Sequence, residues 1–324
     1  MSEPPHSIRT RRAPADGSPS SARWAVVALA ACVGFGPLIL AAPMSRAADE
    51  VHWTITGQTS VTLNWRGCET FVRYGLTPAY GSVVGGGPPD PMPHSNPGPF
   101  WQARITGLRE NVVYHYSIGN GPDHTFRTPP RRGTSGFTVF AAGDVGDSAT
   151  YWRMATLQDL IAAHTPNFVL MVGDLTYAND HGQAAVTRHF NDVMKWSQDA
   201  AYMPAWGNHE WDQPADDDLR NYKGRFDLPN PQTSPDTPAE SCCGEDWSWF
   251  DYGNVRFISY PEPYTGGTWT EWLPHAQTLM NQAQADPTIM FIVTFGHRPA
   301  YSTGNHTGHP ALKSCLDQLG AAYP

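Results

Sequence analysis

Charge is scarce in this 324-residue chain: Asp, Glu, Lys and Arg together make up 16% of it, against 40% hydrophobic residues. That balance excludes an intrinsically disordered chain and a charged coiled coil. Positive charge is scarcer still, 21 Lys and Arg against 30 Asp and Glu for a formal net charge of −9, which argues against a nucleic-acid scaffold. No internal repeat is present, so repeat architectures are excluded. The five cysteines never fall in a Cys-x-x-Cys spacing, which argues against a thiolate zinc site. What is plentiful is Gly and Pro, 30 of each, with 12 Trp and 13 Tyr, a mix that suits turns, β-structure and substrate clefts. The length fits about two domains with a sizeable core.

Residues 1–48 stand apart. Arg9, Arg11, Arg12 and Arg23 precede an apolar stretch at 25–42, and Ser45 and Ala47 put small residues at −3 and −1 of a cut before Ala48. This predicts a secretory signal, the alternative being an uncleaved membrane anchor. Gly34, Gly36 and Pro37 interrupt the run and favour cleavage, and Arg11-Arg12 also matches a twin-arginine leader. On either reading the chain is secreted or held at the cell surface, and it meets a membrane only through an uncleaved leader. Cys32 leaves with the signal. Cys68, Cys242, Cys243 and Cys315 then allow three disulfide connectivities in an oxidising compartment.

Residues 50–128 read as all-β. Val61, Leu63 and Trp65 alternate with Thr62 and Asn64, and Tyr114, Tyr116 and Ile118 alternate with Val113, His115 and Ser117. That period of two predicts half-buried strands, and a short β-sandwich is the natural packing. A long loop at 85–99 holds ten Gly or Pro, and 128–133 reads as a linker. From 137 onward apolar strand-like runs (137–142, 168–172, 202–206, 288–295) alternate with helix-like segments (154–163, 184–198, 273–285, 311–319), and a hairpin-like pair lies at 247–250 and 255–260. The pattern predicts a layered α/β domain over 137–324.

Four of the strand-like runs end in glycine followed by a metal-ligand type: Gly143-Asp144, Gly173-Asp174, Gly207-Asn208-His209 and Gly296-His297. Any one Gly-Asp pair reads equally well as a turn with a helix cap. Four in order bring carboxylates, an amide oxygen and imidazoles to one rim, because the carboxyl ends of strands in an open α/β sheet line the ligand crevice. Such a donor set binds hard-to-borderline metal ions, and the density of carboxylate argues for two.

These motifs resemble the binuclear metallophosphoesterases and, more narrowly, the purple acid phosphatases. The narrowing rests on Gly146, which stands where the wider group has the histidine of Asp-x-His, and on Tyr177, three residues after Asp174. The segments 222–226 and 250–254 also fit, and the resemblance covers 50–324. It implies a fibronectin III-like β-sandwich at 50–128 joined to a four-layer β-sandwich metallophosphoesterase domain at 137–324. It implies Asp144 and Tyr177 as ligands of Fe(III), Asp174 as the bridge, and Asn208 and His297 as ligands of a divalent Zn, Fe or Mn. His209 would touch phosphate or protonate the leaving alkoxide, and His306 would be a further substrate contact, although Thr307 stands where relatives carry a second histidine. The implied activity is that of an acid phosphomonoesterase acting on phosphate esters through metal-activated water. The alternatives are a phosphodiesterase or nucleotide pyrophosphatase on the same site, or a non-catalytic metal- or phosphate-binding protein. The last arises because the family's Gly-His-x-His motif does not occur here: Gly308-His309 runs into Pro310, and the expectation is a C-terminally truncated chain.

The remaining candidates have plainer readings. His52, His94, His115, His124, His164, His189 and His275 are expected to be structural, His181 sits in a loop beside the site, and Asp147 reads as a helix cap. Asp216-Asp217-Asp218 reads as a solvated charge run, and Asn305-His306-Thr307 matches a glycosylation pattern. Oligomeric state has no signature.

Overall fold

The period-two segments fold into seven strands: β1 (Asp49–Gly57), β2 (Ser60–Arg66), β3 (Phe71–Gly75), β4 (Gly81–Gly85), β5 (Phe100–Ile105), β6 (Val113–Ile118) and β7 (His124–Arg127). The computed structural model describes residues 47–211, 219–237 and 244–323. One antiparallel sheet has the order β1-β2-β5 and the other β4-β3-β6-β7, and the Gly/Pro-rich loop joins β4 to β5 across the two. Trp53, Ile55, Leu63, Val72, Tyr116 and Phe126 fill the space between them.

Half-burial does not hold for the first sheet. Thr62 and Asn64, expected to face water, are 0% and 2% exposed. The reason is that the outer face of β1 and β2 is covered by later parts of the chain. Thr62 Oγ1 donates to Asp227 Oδ2 at 2.6 Å, Ser197 Oγ donates to the Val51 carbonyl at 2.9 Å, and His52 Nε2 lies 2.6 Å from the Arg225 carbonyl. A buried Arg225–Glu50 ion pair at 2.9 Å closes the same seam. Apolar packing is therefore continuous from Trp53 to Phe168 and Phe250, and the described residues form one compact unit although no sheet crosses 128–138.

The second half supplies two further sheets. Strands β8 (Val139–Ala142), β9 (Phe168–Val172) and β10 (Ala201–Ala205) are parallel in the order β10-β9-β8. Central β9, Phe-Val-Leu-Met-Val, is apolar throughout because both of its faces are covered. Helices α1 (Met154–His164), α2 (Ala178–His181) and α3 (Ala184–Ser197) follow these strands, and α3 buries Val186, Phe190, Val193 and Trp196 along one helical stripe. After the short α4 (Arg220–Lys223), β11 (Trp249–Tyr252) and β12 (Val255–Ser259) form a hairpin, and β13 (Phe291–Phe295) pairs in parallel with β12. Helices α5 (Thr268–Ala285) and α6 (Pro310–Ala322) pack together beside this sheet. Helix α5 begins earlier than the expected 273 and carries Pro274 inside it. Two buried indoles override the proline: Trp269 Nε1 donates to the Pro261 carbonyl at 2.9 Å and Trp272 Nε1 to the Ser259 carbonyl at 3.1 Å.

Cys68 is exposed and Cys315 buried, and both thiols are free, so neither enters the disulfide pairing allowed by the sequence. Cys242, Cys243, residues 1–46 of the signal or anchor expected at 1–48, and the Asp216–Asp218 run lie outside the described residues. Among the described residues no helix is long and apolar enough to cross a membrane.

Candidate metal centre

Parallel pairing aligns the carboxyl ends of the strands, with Ala142 opposite Met171 and Ala205 opposite Val172, so the Gly-Asp and Gly-Asn-His turns emerge along one edge. The turns continue the ladder: the backbone N–H of Asp144, Val145 and Gly146 donate to the carbonyls of Gly173, Asp174 and Leu175 at 3.1, 3.0 and 2.9 Å. β13 brings His297 in from the other sheet. Asp144, Asp174 and Tyr177 all adopt the left-handed conformation, with φ of 54°, 50° and 54°. For Asp this is tolerated. For Tyr it is strained, at roughly 1–2 kcal/mol, and strain of that kind gathers at functional sites.

Asp144, Asp174, Tyr177, Asn208, His209, His297 and His306 all line one cavity of about 500 Å³, so every residue singled out for the site reaches the same place. Asp144, Asp174 and His297 each bring a ligand atom within 4.8 Å of the others. Tyr177 Oη donates to Asp144 Oδ1 at 3.1 Å, and His297 Nε2 lies 3.2 Å from Asp174 Oδ2. His297 Nδ1 sits 3.1 Å from the Val172 carbonyl, which fixes the ring with Nε2 toward the carboxylate. His209 has its backbone N–H on Asp174 Oδ1 at 3.0 Å, and its Nδ1 faces Asn179 Oδ1 at 2.9 Å and Asp180 Oδ2 at 3.3 Å. Its ring packs on Tyr177 with centroids 4.5 Å apart.

The electrostatics call for a cation. Burial and the charges of Asp174 and Asp144 push the Tyr177 phenol well above its ordinary range, so it stays protonated and donates to Asp144. Burial opposes charge on both members of the His297–Asp174 pair. Their mutual hydrogen bond and attraction win, raising His297 to about 9 and lowering Asp174 below its usual value. A proton on His297 thus lies between imidazole and carboxylate. Two carboxylates, a phenol, an amide and an imidazole are the oxygen and nitrogen donors that ferric and divalent ions prefer, so the residues present fit a metal pair.

At the position of the missing histidine, Gly146 has φ of 68°, and a Cβ there would lie 2.5 Å from the Tyr151 ring and 3.5 Å from the Tyr177 ring. The two tyrosines fill the space that a side chain at 146 would need. Asp147 is fully buried, accepts from the backbone N–H of Ala149 and Thr150 and pairs with Arg188; it closes a turn rather than capping a helix, because α1 starts only at Met154 with Arg153 at its N-cap. His181 is hydrogen-bonded to Tyr151 Oη at 3.0 Å and is not part of the cavity lining.

The profile of the calcineurin-like phosphoesterases matches residues 137–323. The chain belongs to that family. Within it, Purple acid phosphatase 22 of Arabidopsis thaliana is 29% identical over 287 residues, 84% of this chain and 62% of that relative. Purple acid phosphatase 18 of the same plant is 25% identical over 281 residues, 82% of this chain and 60% of the relative. A purple acid phosphatase structure from yellow lupin (Lupinus luteus) seeds superimposes with a TM-score of 0.60 at 18% identity, over 83% of this chain and 56% of that one. The fold is thus that of a purple acid phosphatase, and the chain spans about 60% of the length of these curated relatives.

Three residues around this cavity went unassigned in the sequence. Glu210 is fully buried and accepts the backbone N–H groups of Asp174, Leu175 and Gly207 at 2.9, 2.7 and 2.7 Å, tying two ligand turns together. Arg298 and His309 line the cavity. Their only signal was adjacency: Glu210 follows Asn208-His209, Arg298 follows His297, and His309 closes the segment after His306.

Proposed function

We propose that the cavity is the hydrolytic centre of an exported acid phosphomonoesterase. On this reading Asp144 and Tyr177 would hold Fe(III), Asn208 and His297 would hold a divalent Zn, Fe or Mn, and Asp174 would be shared between the two. The observation that carries this reading is the approach of Asp144, Asp174 and His297 donor atoms to within 4.8 Å of one another, with Tyr177, Asn208 and His209 on the same cavity wall. A bound metal pair supplies an activated water near neutral pH and offsets the charge on phosphorus.

The chain's own residues do the rest. Tyr177 gives up the proton it now shares with Asp144. His297 gives up the one between it and Asp174, so that both can act as ligands. Asn179 and Asp180 beside Nδ1 of His209 orient its ring with Nε2 on the Asp174 side of the cavity, from which it would protonate the departing alkoxide. His306, exposed at the cavity mouth, is a substrate contact. Residues 50–128 form the fibronectin III-like module of the plant-type enzymes, supported by their three-plus-four antiparallel sheets. Cleavage before Ala48 leaves β1 intact, since that strand starts at Asp49.

The test is metal content and p-nitrophenyl phosphate turnover in the parent protein and in Asp174→Asn. The reading requires about two metals per chain and turnover that Asp174→Asn nearly abolishes. Metal or phosphate binding without turnover of mono- or diesters makes the protein a binding protein instead. N-terminal sequencing of exported material beginning at Ala48 supports the signal, and an intact leader refutes it.

A further inference from the structure

Arg298 leaves β13 directly after His297, and its side chain, 25% exposed, lines the metal cavity. It is anchored from behind. Its Nε and Nη2 both lie 2.7 Å from Glu262 Oε1, and Glu262 is 1% exposed. Its backbone is anchored too, because Tyr260 Oη donates to the carbonyls of Arg298 and Gly296 at 2.9 and 3.1 Å. Glu262 thus takes one donor each from Nε and Nη2 and leaves both Nη1 donors and the second Nη2 donor. A long, flexible cation has become a fixed one at the edge of the site.

The other non-ligand side chains of the cavity that can donate are the neutral hydroxyl of Thr307 and the imidazoles of His209, His306 and His309. Imidazoles lose their charge as pH rises through neutrality, whereas a guanidinium keeps it at every working pH. A phosphate monoester carries up to two charges on three terminal oxygens, its second pKa being about 6. A diester carries one charge on two. A fixed guanidinium therefore rewards the monoester with charge-assisted hydrogen bonds that a diester matches less well.

We propose that Arg298, positioned by Glu262, is the phosphoryl-recognition residue of this site and biases it toward monoester dianions and inorganic phosphate over diesters. The proposal rests on the phosphoesterase reading of the cavity and deepens it. Arg298 contacts the phosphoryl group, and Glu262 acts through Arg298.

The test uses metal-loaded parent protein, Arg298→Ala, Arg298→Lys and Glu262→Gln. Inorganic phosphate binding is measured by calorimetry, metal content by elemental analysis, and kcat and KM on p-nitrophenyl phosphate and bis(p-nitrophenyl) phosphate. Arg298→Ala is expected to weaken phosphate binding about 10- to 100-fold, the worth of one or two charge-assisted hydrogen bonds. Metal content stays at the parent level, and the monoester-to-diester ratio of kcat/KM falls about tenfold. Arg298→Lys recovers part of the affinity. Glu262→Gln raises KM for the monoester more than it lowers kcat. Unchanged phosphate affinity and unchanged monoester preference in Arg298→Ala overturn this proposal and leave the phosphoesterase reading standing. A metal-loaded parent that binds no phosphate overturns both. If Arg298→Ala fails to fold, Arg298→Lys and Glu262→Gln decide by the same criteria.

Discussion

Glu210 offers the sharpest test of how the ligand turns are held. Its Oε2 accepts from Asp174 N and Gly207 N, and its Oε1 accepts from Leu175 N, all in a fully buried setting. Glu210→Ala strands three buried N–H groups. At about 1–3 kcal/mol each, softened by relaxation, the loss comes to about 5 kcal/mol. Glu210→Gln keeps the shape but has one oxygen. If the amide oxygen takes the Oε2 side, only Leu175 N loses its acceptor and meets an NH₂ group instead, which costs about 2 kcal/mol. With a urea m-value of about 3 kcal/mol/M for a chain of this size, the midpoint should fall by about 0.7 M in Glu210→Gln and about 1.7 M in Glu210→Ala. Metal affinity should fall in the same order, because Asp174 and Asn208 sit on the turns that Glu210 ties. The assay is urea unfolding followed by fluorescence, paired with metal titration. A Glu210→Gln protein with parental midpoint and parental metal affinity would show that the carboxylate does not organise the site.

Gly207→Ala should weaken metal binding without any conformational strain at 207, because its Cβ would lie 2.3 Å from Asp174 Oδ1 and 2.4 Å from Asp174 N. A crystal structure or titration showing an undisturbed Asp174 refutes that. His189 is fully buried, with Nδ1 2.8 Å from the Gly146 carbonyl and Nε2 2.9 Å from Tyr202 Oη, and burial lowers its pKa from 6.5 to about 4. Between those values the unfolded chain binds a proton that the native state refuses. Stability is therefore lost as pH falls from 6.5 toward 4, by about 3 kcal/mol in all. His189→Gln should flatten that part of the stability–pH curve by about 1.4 kcal/mol per pH unit, and an unaltered slope refutes the assignment. Asp174→Asn should weaken both metals, whereas Tyr177→Phe should weaken one, which metal titration separates.

The second half was readable because its strands announce themselves twice: by apolar runs such as Phe168–Val172, and by the Gly-ligand pair that ends each run. Parallel pairing then does what the motif order implies, since carboxyl ends must share an edge. The cover over Thr62 and Asn64 was not readable, because it is set by Asp227 and Arg225, more than 150 residues away in the chain. Glu210 escaped for a related reason. Its partners are backbone N–H groups, which leave no mark on the sequence, and only the fold shows that three of them converge. Arg298 escaped because its anchor, Glu262, lies 36 residues earlier in the chain and is buried behind it. The early start of α5 depended on where the Trp269 and Trp272 indoles find acceptors, a tertiary fact that outweighs the local signal of Pro274.

The central claim is that Tyr177 and the carboxylates beside it hold a ferric ion in a metal pair. The most direct measurement is the visible spectrum of iron-loaded protein beside that of Tyr177→Phe, with iron quantified in both. A phenolate on Fe(III) gives a visible absorption band, so the parent should be coloured, and Tyr177→Phe should lose the band even where iron remains bound through Asp144 and Asp174. A colourless parent with ferric iron bound, or a Tyr177→Phe protein that keeps the same band, contradicts the account.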